Sequence, residues 1–450
     1  MVGIDRDRLA RLRASEDQRF VDSHPASAAL AAEARCHLLS GVPMPWMTRW
    51  PGAFPVFVEH AEGARCTDVD GNTYVDFCLG DTGAMTGHSL PQVADAIAEQ
   101  ARRGVTTMLP GADSLWVAAE LHRRFGLPLW QLAMTATDAN RFVLRFARHV
   151  TGRPKVLVFD WCYHGTVDEA LATLDERGRV VAREGSIGPQ VDPALTTVVV
   201  PFNDVPALEA ALAVGDVACV LAEPALTNIG IVLPDPGYHQ ALRDLTRATG
   251  TLLVIDETHT ICAGPGGCTA AWDLDPDFLV IGKTIGGGMP AAAYGLTADV
   301  AAGLDDVLSA EDVDIGGVGG TLSGNALAVA AIKATLSTTL TEDDFARAIP
   351  LADRWAAGVG AAIDAHGVPW TVQQLGCRAE YWFCPAPRDG AAAAAAVDAE
   401  LDSFMHLWAL NRGVLLTPFH NMALLSPHHR AADVDLHSEV FDDAVKELAV

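Results

Sequence analysis

The 450-residue sequence is short of positive charge. Lys and Arg number 31 against 57 Asp and Glu, a formal charge of −26. Such a chain repels phosphate backbones and anionic bilayers, which argues against nucleic-acid partners and peripheral membrane binding. Read most plainly, the charge keeps the protein soluble. The sequence lacks any run of about 18 uninterrupted apolar residues, so no membrane span is expected. Its opening, Met1–Arg13, is charged throughout and does not read as a secretory signal. Nine cysteines are scattered between Cys36 and Cys384 without a C-x-x-C, and an odd number cannot all pair. That argues against a disulfide framework or a cysteine zinc site and for reduced thiols in the cytoplasm. His259, His420, His428 and His429 lack the carboxylate–histidine spacing of a metal site, so no metal is expected. No internal repeat or long linker is visible.

What is present is a globular composition, half hydrophobic and a fifth charged. The length suits two or three domains. Asp5–Leu39 is rich in Ala and Arg and reads as helical. Pro43–Pro55 cannot be helix throughout. Val56–His60 and Thr73–Asp76 flank the turn Asp70-Gly71-Asn72, a hairpin signal. From Pro91 the rhythm changes. Helical stretches such as Gln92–Arg103 and Ser114–Phe125 alternate with short apolar runs at Lys155–Phe159, Thr197–Pro201, Val217–Ala222, Leu252–Asp256 and Phe278–Gly282. These runs predict strands of a parallel sheet buried on both faces. Beyond Glu342, Asp343–His366 reads as helix, Trp370–Gln374 and Ala379–Phe383 as strands, and Ala391–Asn411 as a further helix packed through Phe404, Leu407 and Trp408. The expected fold is α/β: a large domain over 76–340 with a mostly parallel sheet between helices, and a small α+β domain from both chain ends, 1–75 and 341–450. Ligands in such sheets bind at the carboxyl ends of the strands.

Five segments at those ends carry chemistry. In Phe278–Pro290 a strand delivers Lys283 beside Gly282 into a turn containing Gly286, Gly287 and Gly288. An isolated lysine there is a surface residue, but the glycines let another body approach the backbone, and an amine so held can form a Schiff base with an aldehyde cofactor. In Leu252–Thr260 four apolar residues run into Asp256. A buried carboxylate needs a partner, either a structural ion pair or a protonated ring nitrogen. Strand alternation puts Thr258 on the same face as Asp256. Thr135, Ala136 and Thr137 open the helical run Arg141–Val150. They read as an ordinary cap or as a phosphate site on a helix N-terminus. Tyr163 and His164 follow the strand Lys155–Phe159, where an aromatic either fills core or stacks on a planar ligand. Gly319–Asn325 repeats the hydroxyl-plus-N–H pattern at Thr321.

Together these segments resemble the class III, fold-type I aminotransferases that use pyridoxal 5′-phosphate (PLP). The shared elements are G-K-x-I-G-G-G-x-P, the D-E-T before it, Y-H-G, E-P and G-T-L-S-G-N, in that order. The resemblance runs from about Gly41 to Pro427 and is nearest to the glutamate-1-semialdehyde aminomutase branch, with the β-phenylalanine aminotransferases close by. It implies that Lys283 holds PLP as a Schiff base and shuttles protons. Asp256 would pair with the pyridine N–H. Thr135, Ala136 and Thr137 would bind the phosphate. Tyr163 and Thr258 would cover the two ring faces, and His164 would position its neighbours. Glu223 and Asn228 would lie near the cofactor, and Thr321 would reach the phosphate of a partner subunit in a homodimer whose active site is built at the interface.

The sequence also departs from that branch. Ala136 replaces a glycine, and Thr258 replaces a valine. Met47 stands where the branch carries a carboxylate-gripping arginine, and Pro418–Met422 lacks its glutamate. These losses favour an aminotransferase that moves the amine from an amine or (β-)amino acid donor to a keto acid or aldehyde acceptor. The alternative is an intramolecular 2,1-aminomutase, and a third reading is a PLP-binding protein with little catalysis. Trp46, Met47 and Trp50 suggest an apolar pocket or ordinary core. Arg49 or Arg378 would take a carboxylate, or each is a surface arginine. Asp81 would meet a cationic or hydroxylated substrate.

Overall fold

The computed structural model describes residues 4–308 and 317–449. The chain divides into two compact units. One comprises Met1–Leu90, Asp343–Ala386 and Ala396–Val450; the other comprises Pro91–Glu342 and Pro387–Ala395.

The second unit is built on a seven-stranded sheet. Its strands, in chain order, are β1 (Leu129–Ala133), β2 (Lys155–Phe159), β3 (Thr197–Val200), β4 (Val217–Ala222), β5 (Leu252–Asp256), β6 (Phe278–Ile281) and β7 (Ala292–Leu296). Their spatial order is β1-β7-β6-β5-β4-β2-β3. The run from β3 to β6 is parallel, and β7 is antiparallel to both its neighbours. Every residue of β4, β6 and β7 is buried, as a sheet covered on both faces requires. The helix Ala136–Thr151 packs on β4, β6 and β7, and Tyr238–Thr249 packs on β5.

Five of the seven strands follow from their apolar runs. β1 and β7 do not: Leu-Trp-Gln-Leu-Ala and Ala-Ala-Tyr-Gly-Leu hold no Val, Ile or Thr. Cross-strand packing makes them strands. Gly295 leaves room for the indole of Trp130, which an added Cβ would meet at 2.7 Å. Tyr294 donates its hydroxyl to Gln131.

In the other unit, one sheet orders Val58–Glu62, Arg65–Asp68, Thr73–Asp76 and Val414–Leu415, and a second holds Thr371–Leu375, Arg378–Trp382 and Met422–Leu424. Three expectations need correction here. Asp5–Leu39 is two helices, Arg6–Ser23 and Pro25–Ala34. Pro25 drives His24 out of the helical region, to φ −129° and ψ 47°. The turn at Asp70–Asn72 joins Thr73–Asp76 to an unanticipated strand, Arg65–Asp68, rather than to Val56–His60. Asp68 accepts the N–H groups of Asp70 and Asn72 and so closes that turn. The helix expected over Ala391–Asn411 is two, Gly390–Ala395 and Ala399–Leu410, because the side chain of Asp398 caps the second by accepting from Leu401 N. Phe404, Leu407 and Trp408 are buried. No helix among the described residues is long and apolar enough to cross a membrane.

Candidate active site

Because β2, β4, β5 and β6 run parallel, their carboxyl ends and the segments that follow share one edge of the sheet. Those segments carry Trp161–Gly165, Glu223–Asn228, Asp256–His259 and Lys283.

Asp256 ends β5 and is buried. One carboxylate oxygen, Oδ2, accepts from His164 Nδ1 and from Asn140 Nδ2, both at 2.9 Å. The other, Oδ1, accepts the backbone N–H of Thr258 at 3.0 Å. Burial alone would raise the carboxyl's proton affinity. The hydrogen bond and charge of His164, with help from Thr258 and Asn140, outweigh it and hold Asp256 down at about 2. For His164 burial again opposes the charge, and the Cys162 sulfur and Asp256 overcome it, pushing the imidazole up to about 10. Glu257, on the opposite face, is committed elsewhere: it accepts from the backbone and hydroxyl of Thr269, from Cys268 N and from the Thr260 hydroxyl. Burial raises its proton affinity above the usual carboxylate range.

Lys283 is one of four lysines in the chain. Lys155 and Lys333 are paired with Asp216 and Asp113. Lys283 sits at φ +50°, in the left-handed region that bulky residues avoid. Gly282 brings it close to the helix Ala136–Thr151, since an added Cβ would lie 3.0 Å from Ala136 Cβ and 3.3 Å from its nitrogen. The Lys283 Nζ stands 2.9 Å from His259 Nε2.

Thr135 caps that helix, accepting from Asp138 N, so Ala136 and Thr137 are its first two residues. Thr137 Oγ1 accepts the backbone N–H of Thr166 at 3.1 Å. Gly165, at φ +74°, lets the β2 loop fold onto this terminus: a Cβ there would fall 2.0 Å from Thr137 Oγ1. Tyr163 is half-buried in the same loop and Thr258 is buried. Glu223 accepts from the Thr227 hydroxyl, and Asn228 Nδ2 donates to Trp161 O at 3.2 Å. Thr321 lies exposed in the turn before the helix Ala326–Thr338.

Trp46, Met47, Arg49 and Asp81 belong to the other compact unit. Met47 and Trp50 line an apolar cavity of about 310 Å³ with Val42, Phe57 and Tyr74. Trp46 instead meets Phe419 edge-on, with ring centroids 4.8 Å apart. Arg49 is exposed, and Asp81 lies in a turn at φ +51°. Arg378 is no surface arginine. It is fully buried 3.2 Å from Glu380, which also pairs with His420.

Two partners were not assigned from sequence. Asn140 reads as the end of a cap, and His259 as a failed metal ligand. A buried amide within an otherwise apolar helix face was the available sign for Asn140, because such a group must find a partner. For His259 the sign was register. Asp256 pairs with Val280 across β5 and β6, so the third residue beyond each, His259 and Lys283, leaves the sheet side by side.

Two outcomes test this geometry. Gly165→Ala should cost about 1–3 kcal/mol of unfolding free energy. Gly178→Ala should cost less, because Gly178 has a similar φ of +69° and nothing within 4 Å of its added Cβ. Equal losses by urea titration would refute the close approach. The ion pair sets a pH window. His164 goes from an ordinary 6.5 to about 10, so its contribution is complete below 6.5 and lost as pH rises through 10. Asp256 goes from 3.8 to about 2, so its contribution is complete above 3.8 and lost as pH falls through 2. The stability gap between the cofactor-free protein and its His164→Gln variant should be largest near about pH 5 and smaller by about pH 9; a gap that does not change with pH contradicts the pair.

Comparison with known proteins bears directly on this site. The family model "Aminotransferase class-III" matches residues 46–377. A glutamate-1-semialdehyde 2,1-aminomutase of Opitutus terrae is 36% identical over 406 residues, covering 88% of this chain and 93% of its own. A crystal structure of a glutamate-1-semialdehyde aminomutase from Pseudomonas aeruginosa PAO1, in complex with PMP, is 51% identical with a TM-score of 0.97, covering 99% of this chain and 100% of that one. The β-phenylalanine aminotransferase of Variovorax paradoxus is 26% identical with a TM-score of 0.87, covering 97% of each chain. The chain belongs to the class III aminotransferase family, on the fold-type I architecture, and its cofactor is pyridoxal 5′-phosphate.

Proposed function

We propose that the chain is an aminomutase-type enzyme, one that moves an amino group between neighbouring carbons of a single small substrate. The observation that carries this reading is the 51% identity, over 99% of the chain, to a protein described as a glutamate-1-semialdehyde aminomutase. Met47 and the missing glutamate in Pro418–Met422 favour transfer between two molecules, but the comparisons support the intramolecular reading better. Transfer from an amine donor to a keto or aldehyde acceptor stays as the second reading. One observation favours it: Met47, where a carboxylate-gripping arginine was expected, lines an apolar cavity.

The residues at the strand ends fit the cofactor. Asp256 is held ionised and has three donors, two on Oδ2 and one on Oδ1. Each carboxylate oxygen has two lone pairs, which leaves Oδ1 room for one more donor, such as a protonated ring nitrogen. Free N–H groups at Ala136 and Thr137, with the helix dipole, suit a phosphate. The close packing at Gly165 and Gly282 shapes that cradle. PLP, when bound, supplies an aldehyde for the amine and a ring that takes up the electron pair left on carbon.

In this reading Lys283 would hold the cofactor at Nζ and, once released from it, would move a proton between the substrate carbon and the cofactor's C4′. Asp256 keeps the ring nitrogen protonated. His164 and Asn140 hold Asp256 ionised and oriented. Thr135, Ala136 and Thr137 grip the phosphate, Tyr163 and Thr258 bracket the ring, and Glu223 and Asn228 border it. A homodimer, with Thr321 serving the partner's phosphate site, is supported by an exposed apolar strip: Met108, Leu109 and Leu115 are 73%, 76% and 76% accessible.

Glutamate 1-semialdehyde given alone should yield its isomer, with amine and carbonyl exchanged. Lys283→Ala should lower that rate at least about a thousandfold while PLP still co-purifies. Conversion that requires a keto acid and delivers the amine to it selects the second reading; full activity in Lys283→Ala overturns both. For the assembly, sedimentation should give twice the 47.5 kDa chain mass, and a Leu109→Glu/Leu115→Glu variant should sediment as monomer. A wild-type monomer at micromolar concentration refutes the dimer.

A further inference from the structure

We propose that His259 is a positioning residue for Lys283: its imidazole accepts a hydrogen bond from the lysine amine at Nε2 and so fixes the direction of that amine's lone pair. This rests on the reading of Lys283 as the cofactor-bearing residue. Three observations carry it. The two nitrogens are 2.9 Å apart. Register brings the two segments together, since His259 and Lys283 each lie three positions beyond the Asp256–Val280 pair, just past the ends of neighbouring parallel strands. His259 also makes no capping bond to the short helical turn Thr260–Ala263 that it opens, so capping does not account for its side chain.

The physical consequence concerns the stage at which Lys283 is not bonded to the cofactor. A free alkyl amine rotates about its last carbon–nitrogen bond, and its lone pair has no fixed direction. Giving one N–H to His259 restricts that rotation. When the amine takes a proton it becomes an ammonium, and the same hydrogen bond becomes charge-assisted and stronger. Half-burial moderates the effect without removing it.

The test reads the amine itself. Cofactor-free protein is mixed with PLP across a pH range, reduced with borohydride, and the labelled fraction at Lys283 is followed in time by peptide mass spectrometry. Labelling rates are compared at each pH. Three chains are compared: wild type, His259→Gln and His259→Leu. Gln keeps an acceptor near the position of Nε2, and Leu keeps bulk alone. Asp256 and His164 at the same strand ends, Glu257 on the other face and Asp138 on the neighbouring helix are unchanged in all three.

The Leu variant should be labelled at Lys283 about tenfold more slowly across the pH range, because its amine is no longer oriented, with the Gln variant close to wild type. PLP affinity measured in a Lys283→Ala background should be the same with and without His259→Leu. A labelling rate unchanged in the Leu variant overturns the proposal. So does a faster rate, which would mean that His259 holds the amine away from the aldehyde. Loss of PLP affinity in the Lys283→Ala background would also overturn it, assigning His259 to the cofactor instead. If wild type is never labelled at Lys283, the assignment of the cofactor-bearing lysine fails first and this inference falls with it.

Discussion

A carboxylate at the end of a buried strand is costly unless its charge is answered. Asp256 is answered from three directions: by His164 in the loop after β2, by Asn140 inside a helix, and by the backbone of Thr258 just beyond its own strand. Each donor belongs to a different element, so satisfying one charge fixes the relative placement of a strand, a helix and a loop. Removing a single donor leaves a buried charge short of partners, which is why such networks tolerate little change. The adjacent acid shows the contrast. Glu257, one residue later and on the other face, is satisfied by Thr260, Cys268 and Thr269 and holds its own turn together.

Around that anchor the backbone is brought unusually close. Gly282 meets the first residue of the helix Ala136–Thr151, and Gly165 meets the second turn-forming hydroxyl, Thr137. A Cβ at Gly165 would clash outright, and one at Gly282 would be a tight fit. Lys283 itself, at φ +50°, and Trp161, at φ +65°, accept left-handed conformations that cost a side-chain-bearing residue about a kcal/mol or more. Strain of this kind persists only where the surroundings hold it, and here it gathers at the strand ends rather than in the sheet.

Met47 and Trp50 line an apolar cavity. Arg378 is locked in a buried pair with Glu380, whose carboxyl the charges of Arg378 and His420 hold below the usual range against the opposing effect of burial. An arginine so engaged is part of a folded core. The family relationship and the cofactor therefore stand on one set of residues, and the choice between intramolecular and intermolecular transfer turns on another.

The amino-acid order by itself determined what is local and repetitive. Apolar runs marked β2 to β6, because strands buried on both faces need little else. Lys283 beside Gly282, Asp256 after four apolar residues and hydroxyls opening a helix were legible because each chemistry demands those residue types at that spacing. Tertiary structure decided what depends on neighbours. β1 and β7 are strands because Trp130 packs over Gly295, not through any propensity of their own. Asn140 and His259 acquire partners 116 and 24 residues away only when parallel strands set their ends side by side. The burial of Arg378 depends on Glu380 and on the strand that carries both. Spacing along a chain encodes periodicity and turns; the partner of a buried charge is encoded only by the packing that brings distant segments together.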